Sequence, residues 1–138
     1  MFVLDASVAI SWCFPGEASE DTAYSRSVLR RLVLETAVVP EIWAFEIANN
    51  MYVSHTKRRR TSEEQLMEYL ALLKALPIVQ DSQPLWMNVG LESLARKFEI
   101  TAYDVAYLAL AIRRKLPIAT TDELLKQKAR DQGLEVLL

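Results

Sequence analysis

The sequence predicts one α/β domain over residues 1–138, with a central, mostly parallel sheet between two layers of helices. Three observations lead there. Short apolar runs recur between longer helical stretches: Phe2-Val3-Leu4, Ala37-Val38-Val39, Ile78-Val79 and Pro117-Ile118-Ala119. These runs are apolar at successive positions, as in strands covered on both faces. Strands alternating with helices need crossover connections, which yield parallel sheets. Finally, 138 residues with a 51% hydrophobic fraction fit one compact core.

Each element has a local reason. Phe2 to Leu4 is a buried strand. Ala6 to Trp12 is a short helix stopped by Pro15-Gly16. Ser19 to Leu34 places Val28, Leu29, Leu32 and Val33 on one helical side. Ala37 to Val39 is β-branched and ends at Pro40, which predicts a strand. Glu41 to Lys57 reads as one long helix. Thr61 and Glu64 form a capping box that opens a helix through Leu66, Leu70, Leu73 and Leu76. Ile78-Val79 is a brief strand, and Pro84 to Phe98 is helical. Thr101 caps a helix running to Lys115. Pro117 to Ala119 is a strand, Asp122 to Gln132 a helix, and Glu135 to Leu137 a terminal strand.

The totals exclude several classes. The net charge is -2, so nucleic-acid binding requires a local basic patch. Cys13 is the one cysteine, which rules out an intrachain disulfide and suits a reducing compartment. The first five residues lack a basic region and reach an acid, unlike a signal peptide. The longest apolar run, Val105 to Ile112, is too short to span a bilayer. The expected setting is the cytoplasm, with no membrane partner.

Four acids fall in informative places, two of them beyond the carboxyl ends of strands, where ligands bind in such folds. Asp5 directly follows the first strand, and Asp122 follows Ile118-Ala119 after Thr120 and Thr121. Asp104 opens an apolar helix. Glu46 shares a helical stripe with Ile42, Asn49 and Val53. Each has a plain structural reading: Asp5, Asp104 and Asp122 suit helix N-termini, and Glu46 suits a solvated edge. Their combination is more specific. Carboxylates converging to about 5 Å repel by roughly 3 kcal/mol per pair at an effective dielectric near 20. Protons or cations must compensate. Oxygen donors favour Mg²⁺ or Mn²⁺, and one histidine with one cysteine argues against zinc.

The segments carrying these acids resemble the PIN domain, most closely the VapC-type toxins of bacterial and archaeal toxin–antitoxin pairs. Val-Leu-Asp-Ala-Ser-Val-Ala-Ile-Ser-Trp is similar to the first family motif, with Asp5 as its acid and Ser7 as its hydroxyl residue. The stretch Pro40 to Asn49 resembles the second, with Glu46 and Asn49. Ile100 to Ala111 resembles the third, with Asp104. Ala119-Thr120-Thr121-Asp122 resembles the fourth, with Thr120 and Asp122. Glu123-Leu124 departs from it, because many members carry a basic residue there.

The resemblance implies a metal-dependent endoribonuclease, a homodimer and a small antitoxin protein. Asp5, Glu46, Asp104 and Asp122 would then be catalytic acids and Mg²⁺ or Mn²⁺ ligands. Ser7, Asn49 and Thr120 would orient them, although core or cap roles suit these three as well. Lys57, Arg58, Arg59 and Arg60 are either a solvated loop or an RNA-steering patch. Trp43, Tyr52 and Trp86 are core or partner-facing aromatics. A haloacid-dehalogenase-type phosphatase needs a second Asp where Ser7 stands. A receiver domain needs paired acids and a late lysine that are not evident. A stand-alone PIN nuclease acting on RNA or DNA, or a degenerate binding module, remains the alternative.

Overall fold

The computed structural model describes residues 1–14, 17, 22–87 and 90–138, with Trp86 described in its backbone only. Among them, four strands form one all-parallel sheet in the order β3-β2-β1-β4. They are β1 (Phe2–Leu4), β2 (Ala37–Val39), β3 (Ile78–Gln80) and β4 (Ile118–Ala119). Val3 pairs with Val38 on one side and Ile118 on the other. Phe2, Val3 and Leu4 have no solvent exposure, so β1 is covered on both faces as its sequence predicts. The chain steps outward from β1 to β2 and β3, then returns to β1's other side as β4. The order therefore reverses between β1 and β4, and the crevice beyond their carboxyl ends is where such sheets bind ligands.

The helices are α1 (Ala6–Ser11), α2 (Ala23–Arg31), α3 (Ile42–Tyr52), α4 (Glu63–Ala75), α5 (Leu91–Phe98), α6 (Ala102–Arg114) and α7 (Glu123–Asp131). Helix α6 is the central one: Val105, Ala106, Tyr107, Leu108, Leu110 and Ala111 are all buried. Packing on that scale fixes its N-terminus, and with it Asp104, over the sheet. At its other end Arg113 and Arg114 pair with Asp81, which follows β3. These cations thus do more than complement the helix dipole.

Several boundaries differ from the sequence expectation, each for a local reason. Helix α2 starts at Ala23, where the Thr22 side chain accepts the Ser25 N–H; the expected start at Ser19 and the Pro15-Gly16 stop lie outside the described residues. The stretch Glu41 to Lys57 is not one α-helix. It changes at Tyr52 into a π-helical turn, Val53–Lys57, and the Arg58 N–H closes that turn on the Val53 carbonyl at 2.9 Å. The capping box of α4 sits one residue later than expected, on Ser62 and Gln65. Thr61 is buried instead. A cap of this kind contributes about 1 kcal/mol.

Between Pro84 and Phe98 a 3-10 turn, Leu85–Met87, precedes α5. Gly90 at φ 114 takes a conformation no helix continues through. The expected terminal strand is a single parallel bridge, Val136 to Ile118. With only two residues in β4, a longer ladder has nothing to pair with.

Candidate active site

Asp5 is buried, at 5% exposure, immediately after the central strand. Its amide donates to the Ala119 carbonyl at 2.9 Å, locking the ends of β1 and β4 together. Two hydroxyls converge on one of its carboxylate oxygens. Ser7 Oγ and Thr120 Oγ1 each donate to Asp5 Oδ2 at 2.6 Å. Each hydroxyl also accepts a backbone N–H from the loop after β4: Ser7 from Thr121 at 3.2 Å, and Thr120 from Asp122 at 3.0 Å. A hydroxyl that accepts from the backbone has its proton free for the acid, so the loop orients both donors. Tyr24 Oη accepts the Thr120 N–H at 3.1 Å and braces the loop from α2. Asp5 makes no well-formed side-chain cap to α1, although the nearby Ser7 backbone N–H also favours its charged form, so the two hydroxyls and not the helix end are its main partners.

The other acids approach from three elements. Asp122 follows β4; it is exposed and its Oδ1 caps α7 by accepting the Leu125 N–H at 2.7 Å. Asp104 sits in the first turn of α6, and its N–H is capped by Thr101 Oγ1 at 3.2 Å. Glu46 projects from α3, and Tyr107 of α6 donates to its Oε1 at 3.2 Å. Tyr107 is fully buried, and in the sequence it reads as one more apolar helix position. Its spacing from Asp104, three residues on one helix, is the signal that it shares the acidic face. Asn49 lies exposed in the same open cleft as Glu46 and makes no hydrogen bond to the four acids among the described residues.

The acids feel one another. Repulsion runs between Asp5 and Asp122, Asp5 and Glu46, Asp5 and Asp104, Glu46 and Asp104, and Asp104 and Asp122. Burial is the first cause and repulsion adds to it, so the carboxyls of Asp5 and Asp104 are both pushed above their usual range. Burial, then the charge of Asp5, raises Glu46 to about 7. Among the described residues, no three His, Cys, Asp or Glu side chains are gathered tightly enough to hold an ion as they stand. Asp122 and Glu46 are turned instead toward their own partners, Leu125 and Tyr107.

The basic run splits. Lys57 Nζ lies 5.8 Å from the Tyr52 ring centroid, and Arg60 pairs with Glu17 and lies 3.9 Å over Phe14. Arg59 takes a backbone φ of 50, and Arg58 lines the cleft beside Glu46. Tyr52 is exposed, whereas Trp43 is half-buried against the core. The side chain of Trp86 lies outside the description.

Fold and site together define an α/β domain with an acidic centre at the switch point of a parallel sheet. The PIN domain model matches residues 2–131, and the chain belongs to that family. Ribonuclease VapC3 of Pyrobaculum aerophilum is 31% identical to it over 130 residues, spanning 91% of this chain and 92% of that protein. Two crystal structures share the fold. FitAcB from Neisseria gonorrhoeae aligns with a TM-score of 0.65 and 20% identity, over 100% of this chain and 97% of that one. PAE2754 from Pyrobaculum aerophilum gives 0.63 and 17%, over 92% and 84%. The family expected from the sequence motifs is the family found.

Proposed function

We propose that the chain, one PIN domain over residues 1–138, is a divalent-metal-dependent endoribonuclease and the toxin of a toxin–antitoxin pair. The observation that carries this is Asp5: a buried carboxylate aimed by two hydroxyls and coupled electrostatically to Glu46, Asp104 and Asp122. Folding an acid into that position disfavours its charge, a cost that ligand binding can offset. The similarity to a protein named Ribonuclease VapC3 supports an RNA substrate, and the resemblance of the motifs to VapC-type toxins supports the toxin role.

The donor set fits Mg²⁺ or Mn²⁺. It consists of carboxylate oxygens backed by hydroxyls, and the nitrogen and sulfur alternatives are engaged elsewhere. His55 Nδ1 lies 2.9 Å from the Thr61 carbonyl, and Cys13 is buried. Asp5 and Asp104 would hold the ion, with Asp122 binding directly or through water. When bound, such an ion acidifies water and neutralises charge on the phosphodiester. The chain's own groups do the rest. Ser7 and Thr120 keep Asp5 oriented. Glu46 orients the attacking water and takes its proton. In-line attack forms the new P–O bond as the bond to the ribose 3′ oxygen breaks, and the departing oxygen takes a proton from solvent, leaving a 3′ hydroxyl and a 5′ phosphate.

Purified protein incubated with total and transfer RNA should cut it with millimolar Mg²⁺ or Mn²⁺ and not with EDTA. Equal cleavage in EDTA sinks the metal part of the reading, and no cleavage under any metal sinks the nuclease.

The same reading places the chain in the cytoplasm as a homodimer that binds a small antitoxin. An apolar groove of about 540 Å³ between α5 and α6, with Leu85, Leu91, Leu94 and Leu110, supports self-association. No helix among the described residues is long and apolar enough to cross a membrane. Light scattering at tens of micromolar, roughly the range for a modest interface, should give twice the 15.7 kDa of one chain. A monomer at that concentration counts against the dimer.

A further inference from the structure

The run Lys57-Arg58-Arg59-Arg60 is uniform in sequence and divided in space. Lys57 lies over Tyr52, and Arg60 is held by Glu17 and Phe14. Arg58 is exposed and makes no ion pair among the described residues. It lines an open cleft of about 390 Å³ together with Ile10, Glu46, Asn49, Asn50 and Val53. One of the four proposed catalytic acids and one unpaired guanidinium therefore share a cleft.

The backbone explains the division. Beyond Tyr52 the helix widens to i to i+5 bonding, ending with Arg58 N–H on Val53 O at 2.9 Å. The chain then turns at Arg59, whose φ is 50, and the Arg60 N–H returns to Ser54 O at 2.8 Å. His55 Nδ1, donating to the Thr61 carbonyl at 2.9 Å, pins the turn from the other side. π-helical turns of this kind are uncommon and occur frequently at functional sites. Here the turn leaves Arg58 on the Glu46 side and carries Arg60 away to Glu17.

We propose that Arg58 binds a backbone phosphate of the RNA strand, one flanking the phosphate that is cut at the acids. The proposal rests on the nuclease reading. A chain of net charge -2 that gathers four acids at its site repels a polyanion, so a local cation must offset that repulsion. A guanidinium matches a phosphate with two parallel hydrogen bonds. Arg58 is the member of the run that lines the same cleft as an acid of the site and makes no ion pair among the described residues. Its work is to seat the strand, a positioning role distinct from the chemistry at Asp5 and Asp104.

The test uses the full chain and a labelled single-stranded RNA, with a DNA of the same sequence, in EDTA at low salt so that neither is cut. Fluorescence anisotropy compares wild type with Arg58→Gln, Lys57→Gln and Arg60→Gln. Arg58→Gln should weaken both strands on the order of fivefold. It should also flatten the slope of log affinity against log salt by about 0.7, the value for one phosphate contact on a single strand. The other two variants should stay within about twofold, the expectation for cations outside the contact. Because Arg58 is exposed, its variant should melt like wild type. Under Mg²⁺, a seating role predicts a raised KM with kcat nearly kept. Wild-type affinity in Arg58→Gln overturns the proposal alone. Weakening of RNA without DNA also overturns it, because the contact would then be to ribose. Wild type binding neither strand overturns the proposal too, whereas the nuclease reading falls separately, by the absence of RNA cleavage under any metal.

Discussion

Asp5→Asn is expected to lower RNA cleavage on the order of a thousandfold, the scale for losing a group that stabilises charge in the transition state. The fold should survive, because the substitution is nearly isosteric at a buried position. Ser7 and Thr120 both donate to Oδ2, and the amide oxygen of asparagine can accept both bonds. The amide nitrogen then faces the position where a ligand would approach. Removing the charge also removes the desolvation cost and the repulsion from Asp122, so melting in EDTA should move upward. Ser7→Ala and Thr120→Val leave the acid charged but less well oriented, and should cost about 10- to 100-fold. Single-turnover cleavage and thermal melts check the set. An Asp5→Asn enzyme within about tenfold of wild type, far short of that transition-state scale, would end the case for Asp5 as the central ligand.

The sheet was legible because its strands are short apolar runs bounded by turn residues, and β1 to β4 all fall where those runs are. The place of Asp5 and Asp122 at one end of the sheet followed from both ending strands, whereas Asp104 and Glu46, on helices, were joined to them by the resemblance of their motifs to the PIN domain. What stayed hidden depends on backbone geometry with weak composition signals. A π-helical turn uses the same residue types as an α-helix, so the break at Tyr52 left no mark in the pattern. The capping box slipped by one because Thr61 and Ser62 are both good caps, and burial of Thr61 decided between them. The basic run could not be divided without knowing which way Arg59 turns the chain. Tyr107 was hidden for another reason: a buried tyrosine in an apolar helix needs a partner for its hydroxyl, and the sequence does not say which.

The metal-free protein should lose stability as pH rises from about 5 to 8, against the usual trend for carboxylates paired with cations. Glu46 has a folded-state value of about 7 against 4.5 for the free side chain. Its protonated form therefore favours the folded state. That contribution is fully present below pH 4.5 and is lost as pH climbs through 7. Asp5 and Asp104 are also raised, so they act in the same direction. Acids held low by cations, such as Glu35 beside the N-terminus and Arg31, act oppositely, but only as pH falls below about 4.5. Such acids therefore contribute little between pH 5 and 8, and the Glu46→Gln comparison assigns the slope to the site. A divalent ion should reverse the slope, because it binds the ionised acids of the native state and stabilises that state by mass action. Melting temperatures in EDTA should fall between pH 5 and pH 8, and millimolar Mg²⁺ should restore more at pH 8 than at pH 5. Glu46→Gln should flatten the EDTA curve, and Asp104→Asn should raise the melting point at pH 8 while shrinking the Mg²⁺ response. A wild-type curve in EDTA that is level or rising over this window would show that the acids do not strain the fold. The argument for a cation among them would then lose its physical basis.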